Sequence, residues 1–214
     1  MKKLFFNDQN GVSYNRILRY FYPEFITALI IYFLPQFIDC YFICTLKSTN
    51  LYAISGIVEN FLSMFTKSAE GLLVGTVIIS GYFNGLQEYK KAGESFIDAF
   101  WTTICIGVCV AFMLYYGAFV FYTFNSFTPE MIRLGTPYLQ MKSLGVFFLF
   151  FYFALVGFFR AVKNTFTPMI VFAMGSCVFV LCDYLFIFGS FGFPKLGLVG
   201  SAVAYLIQYA FMSF

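Results

Sequence analysis

Two carboxylates sit where carboxylates are costly. Asp183 lies inside the apolar run 168–188, and Asp39 inside the apolar run 22–46. A charged side chain at bilayer depth costs several kcal/mol or more, and it persists mainly where it lines a pathway or answers another charge. Two acids on different spans can share a proton, or with nearby hydroxyl and carbonyl oxygens hold Na⁺. The competing reading places each acid near a span end, facing the interface.

Further polar residues fall at helical spacing inside apolar runs. Glu59, Ser63, Thr66 and Glu70 follow a 4, 3, 4 spacing, which is one helix face, with Asn60 and Lys67 beside it. Such a face lines a water-filled cavity or packs its charges against another helix. Lys67 and Glu70, at i and i+3, can neutralise each other. Gln36 and Asp39 share a face just after Pro35, whose missing N–H bends a helix axis. Ser176 and Asp183 lie seven residues apart on one face. Ser201, Tyr205 and Gln208 align at 4, 3 spacing, and Tyr138 and Lys142 at i,i+4. Lys142 can pair with Glu59 or Glu70.

The elements that must position these residues are membrane helices. The 214 residues are 61% hydrophobic and only 11% charged, against roughly 25% charged in a soluble domain. Runs of about 20 apolar residues mark spans. Six are expected, at 22–46, 56–83, 96–121, 134–159, 168–188 and 196–214. The fold class is therefore an all-α membrane protein built as a bundle of six transmembrane helices. Residues 1–21 are expected as a cytoplasmic N-terminal segment and 22–214 as the transmembrane lobe. The breaks carry turn residues, as in Lys47-Ser48-Thr49-Asn50 and Gly189-Ser190-Phe191-Gly192-Phe193-Pro194.

Lys and Arg set the orientation. Lys2, Lys3, Arg16, Arg19, Lys90, Lys91, Arg160 and Lys163 fall on one side, and Lys47, Arg133 and Lys195 on the other. This places the N-terminus in the cytoplasm. Glu24 and Asp98 are expected near helix starts, where the dipole favours acids. The 33 Phe and 16 Tyr chiefly suit a lipid-facing surface. The last span stops at Phe214 without a flanking charge, so the chain is expected to be cut short in or just after helix six.

Several chemistries are disfavoured. With no histidine, the commonest metal ligand and general base are missing, and a Ser–His dyad is impossible. The six cysteines lie in apolar spans and read as small buried residues rather than a metal site. No phosphate-cradling loop followed by Lys-Ser/Thr occurs. No enzymatic activity, organic cofactor or nucleic-acid partner is expected.

The segments Gly157-Phe158-Phe159-Arg160-Ala161-Val162-Lys163-Asn164-Thr165, Thr167-Pro168-Met169, Asp183 through Gly189, and Leu196-Gly197-Leu198-Val199-Gly200-Ser201-Ala202 together resemble the multidrug and toxic compound extrusion family. Pro23, Asp39, Gly75-Thr76 and Asn84-Gly85 agree with its pattern more loosely. The resemblance implies one six-helix lobe of a twelve-helix transporter that exchanges H⁺ or Na⁺ for organic cations or drugs. It implies a bacterial inner-membrane location, and a second lobe from a separate chain or a second copy. It also implies a cation-coupling site at Asp39 and Asp183; the polar residues at helical spacing, Gln36, Glu59, Ser63, Thr66, Lys67, Glu70, Ser176, Ser201, Tyr205 and Gln208, are the candidate cavity residues beside it. Two departures bear on the ion. Phe179 stands where the family often has Asn, and Tyr205 where it usually has Thr. Both remove or alter an oxygen ligand, so H⁺ is favoured over Na⁺. The alternatives are a non-transporting remnant of such a transporter and a lipid-linked oligosaccharide flippase of the same superfamily.

Overall fold

A computed structural model describes residues 14–214. Among these residues every regular element is helical. In chain order the helices are α1 (Tyr14–Tyr32), α2 (Leu34–Thr45), α3 (Thr49–Gly85), α4 (Tyr89–Phe124), α5 (Pro129–Ala161), α6 (Phe166–Phe188) and α7 (Leu198–Ser213), with one 3₁₀ turn at Ser190–Gly192. α3, α4, α5 and α6 are each long and apolar enough to cross a membrane, and α7 is a shorter apolar helix of 16 residues. Lys2, Lys3 and most of the expected N-terminal segment lie outside the described residues.

The first expected span is two helices rather than one. The division falls at Phe33, which keeps right-handed backbone angles and still exchanges helical hydrogen bonds with Leu29 and Phe37, and Pro35 occupies the first turn of α2. Proline cannot donate to the carbonyl of Ile31, and its ring crowds that carbonyl, so the helical ladder loses a hydrogen bond one turn ahead of Asp39. α1 also begins at Tyr14, eight residues before the apolar run. Glu24 is therefore mid-helix in α1, and Asp98 lies nine residues into α4. Neither has the helix-start position expected for it. Hydropathy marks the bilayer-facing stretch, whereas these helices continue past it. The 37 residues of α3 extend about 55 Å at 1.5 Å per residue, well beyond a hydrocarbon core of about 30 Å.

α5 is the centre of the bundle. It packs against α3, α4 and α7, while α6 packs against α7 and against α1 and α2. Over half of its most apolar stretch is buried, more than in α3, α4 or α6. Polar ties hold its two ends to α3. Asn50 donates to Glu130 at 2.9 Å where both helices begin, and Asn84 donates to the Ala161 carbonyl at 3.1 Å where both end. Thr128 caps α5 by accepting from the Met131 N–H, with Pro129 in the first turn. Phenylalanine serves both lipid and core: Phe21, Phe25, Phe112 and Phe119 are exposed, whereas Phe150, Phe172 and Phe179 are buried.

Helices in lipid associate through close packing, and small residues permit it. At Gly200 of α7 an added Cβ would lie 2.6 Å from the Phe186 carbonyl carbon of α6. That approach is backbone to side-chain site, so no rotamer relieves it. Gly200→Ala is expected to destabilise the bundle by about 1–3 kcal/mol, read as earlier thermal unfolding in detergent. Gly117→Ala, where a Cβ meets nothing within 4 Å, should leave the transition unmoved or slightly raised.

Candidate functional site

A cavity of about 360 Å³ opens among α2, α3, α5, α6 and α7. Its walls follow from the helical spacings. α2 contributes Pro35, Gln36 and Asp39, and α3 contributes Glu59, Asn60, Ser63, Thr66 and Lys67. Lys142 and Leu149 come from α5, Phe172 and Phe179 from α6, and Tyr205, Gln208 and Tyr209 from α7. The 4, 3, 4 stripe of α3 thus delivers its first three members to the cavity. Glu70 does not line it, and its carboxylate pairs with Lys67 at 2.8 Å. This exposed pair contributes little to stability.

Two buried charged residues, Asp39 and Lys142, line the cavity. Asp39, 7% exposed, accepts a hydrogen bond from the Ser201 hydroxyl at 2.5 Å. This bond joins α2 to α7 across 162 positions of sequence. Asp183 is fully buried on α6, and neither of its carboxyl oxygens has a hydrogen-bond partner. Ser176, two turns earlier on the same face, is buried and its hydroxyl is also unpartnered. Ser176, Asp183 and Ser201 are buried without lining the cavity, whereas Phe172 and Phe179, on the same α6 stripe, do line it.

Lys142 connects these parts. It is 2% exposed, and its ammonium forms an ion pair with Glu59 across the α3–α5 interface. The same ammonium lies 5.0 Å from the Tyr138 ring and 5.2 Å from the Tyr205 ring, within the range of cation–π attraction. Its charge also acts on Asp39 and Asp183, and the two acids act on each other. One buried cation therefore faces three acids. The sequence marks Lys142 as a charge within a span and pairs it with Glu59 or Glu70, and the structure selects Glu59. Its place on the cavity wall, and those of Leu149, Phe172, Phe179 and Tyr209, were not anticipated. Periodicity identifies a face on each helix but not which faces converge.

The fold and site define a membrane-embedded helical lobe with a polar cavity and a buried charge cluster. The family model MatE matches residues 25–185, and the chain belongs to that family. Over 189 residues it is 28% identical to the probable multidrug resistance protein NorM of Bacillus cereus, covering 88% of this chain and 41% of that protein. Over 134 residues it is 26% identical to the multidrug resistance protein MdtK of Yersinia pestis, covering 63% of this chain and 29% of that one. A crystal structure of a MATE in complex with MaL6 superposes with a TM-score of 0.85 at 21% identity, covering 92% of this chain and 42% of the other. The chain spans about two fifths of the length of NorM and of that MATE, and less than a third of MdtK.

The Asp39–Ser201 bond gives a contrast within one site. Ser201→Ala leaves a buried carboxyl without its donor and is expected to cost about 1–3 kcal/mol. Ser176→Ala removes a buried hydroxyl that has no partner and should be neutral or stabilising. Thermal unfolding of the two variants in the same detergent checks the difference.

Proposed function

We propose that this chain is one lobe of a secondary transporter that exchanges organic cations for protons across a bacterial inner membrane, with its N-terminus in the cytoplasm. Asp39 and Asp183 are the coupling pair, and the cavity beside them takes the substrate. The observation that carries this reading is Asp183, fully buried with both carboxyl oxygens unpartnered. Burying an unpaired charge costs several kcal/mol, a cost that a bound proton removes. A site that holds a proton in one state and releases it in another is what coupling requires.

The groups beside the pair favour H⁺ over Na⁺. Phe179 and Tyr205 present rings to the cavity, and Lys142 already brings one cation to the two acids. The oligosaccharide-flippase reading calls for a cationic wall. Here Lys67 is paired with Glu70, and Lys142 with Glu59, which leaves no excess of positive charge. A transport role is proposed rather than an enzymatic one, without a cofactor.

A second lobe completes the path, supplied by a separate chain or by a second copy. Asn60, Ser63 and Lys67 form an exposed polar face on α3, and polar side chains at bilayer depth call for water or protein against them. Alternating access between two such lobes is the general device of these transporters.

The test is proton-driven efflux of a fluorescent organic cation from everted vesicles. The unmutated chain is expected to transport, and Asp183→Asn to lose transport at equal membrane insertion. Equal transport by the mutant would remove Asp183 from the coupling site. No transport by the unmutated chain, despite stable insertion, would mean that a second copy does not supply the other lobe.

A further inference from the structure

Lys142 is the one buried cation among the described residues, and its surroundings are those of a ligand. A carboxylate (Glu59) and two aromatic rings (Tyr138 and Tyr205) enclose its ammonium. An acid with ring faces is the set of groups that recognises an organic ammonium ion. Gly145, nearly one turn further along α5, makes the arrangement possible. A Cβ at that position would fall 2.5 Å from the Tyr205 ring, so any larger residue would push the ring off α5 and away from the ammonium. Glu59 and Tyr205 also line the open cavity. An entering cation therefore meets the groups that Lys142 already holds.

Lys142 has a second place to go. Asp39 of α2 lines the same cavity as Lys142, and Asp183 of α6 is fully buried with neither carboxyl oxygen hydrogen-bonded; the charge of Lys142 acts on both. The remaining titratable groups around it are Lys67 on the α3 wall, held to Glu70, Tyr209 on the α7 wall, and Tyr122 of α4 near Tyr138. None of these offers Lys142 a further acid.

We propose that Lys142 is a tethered competitor of the substrate: an organic ammonium ion takes Glu59 and the Tyr205 ring, and displaced Lys142 turns to the Asp39–Asp183 pair and expels its proton. This rests on the organic-cation reading above and supplies its link between substrate and proton. The displacement exchanges one ammonium for another at Glu59, with no covalent change. At the acid pair one carboxyl O–H bond breaks, the electron pair stays on oxygen, and the proton leaves to cavity water. One positive charge enters and one departs, so the net charge of the site is constant.

The test is ethidium binding to the purified chain in lipid nanodiscs, read by fluorescence anisotropy, with proton release followed in weakly buffered solution. The unmutated chain is expected to bind ethidium and release protons. Lys142→Met removes the competitor and is expected to tighten binding about tenfold, roughly 1.4 kcal/mol, while abolishing proton release. Lys142→Arg grips Glu59 through two parallel hydrogen bonds and is expected to bind ethidium more weakly than the unmutated chain. Unchanged affinity and proton release in Lys142→Met would overturn the competitor role and leave the organic-cation reading standing. If Lys142→Met does not insert, the comparison with Lys142→Arg decides, and equal affinity would overturn the proposal. Failure of every inserted form to bind ethidium would count against the organic-cation reading itself, and the competitor role would fall with it.

Discussion

The arrangement depends on the cost of keeping charge away from water. Asp39, Lys142 and Asp183 are buried in a bundle whose outer surface is apolar, and each must be answered from inside the protein. The answers run between helices that are far apart in sequence. Ser201 of α7 answers Asp39 of α2, and Glu59 of α3 answers Lys142 of α5. Two pairs of helices are therefore joined by polar ties at the buried charges, α2 with α7 and α3 with α5. Asp183 is the member left without a hydrogen bond, buried on α6 without lining the cavity.

Close packing serves this electrostatic problem. Gly200 lets α7 approach the backbone of α6, which carries Ser201 inward to reach Asp39. Gly145 lets Tyr205 lie against α5, beside the ammonium. Replacing either glycine would change a charge's surroundings as well as the packing. The break at Phe33–Pro35 does comparable work on α2. It removes a helical hydrogen bond one turn before Asp39, on the helix that also carries Gln36.

Much of this was legible in the sequence, for identifiable reasons. Apolar run length revealed the membrane helices, and the 3.6-residue period collected Glu59, Ser63 and Thr66 on one face of α3. Pro35 marked the bend. Asp39 and Asp183 stood out because acids are rare in such runs. The errors have equally physical causes. Hydropathy ends where the bilayer does, so it missed the extensions of α1 and α4 and misplaced Glu24 and Asp98 relative to helix starts. Helical period assigns a residue to a face but not to a depth. Glu70 follows the same stripe as Glu59 yet lies beyond the cavity, and Ser176 and Ser201 are buried without lining it. The choice of Glu59 over Glu70 for Lys142 is a tertiary fact, set by the alignment of α3 with α5 that Asn50 and Asn84 hold at either end.

Phe179 and Tyr205 look like losses when read as missing oxygen ligands. In the folded lobe they line the same cavity as Lys142, and in the proposed mechanism Tyr205 and Lys142 belong to another kind of cation site. Oxygen ligands suit a small, strongly hydrated ion, because they replace its water shell. A carboxylate with aromatic faces suits an ammonium, whose charge is diffuse and whose neighbours are carbon. With the ammonium supplied by α5 itself, the site is neutralised without a free metal ion, and the cation's motion is limited to the reach of one side chain. In the proposed mechanism, a tethered charge of this kind senses whatever enters the cavity and whatever proton rests on Asp39 and Asp183. The two events meet at one atom, the nitrogen of Lys142.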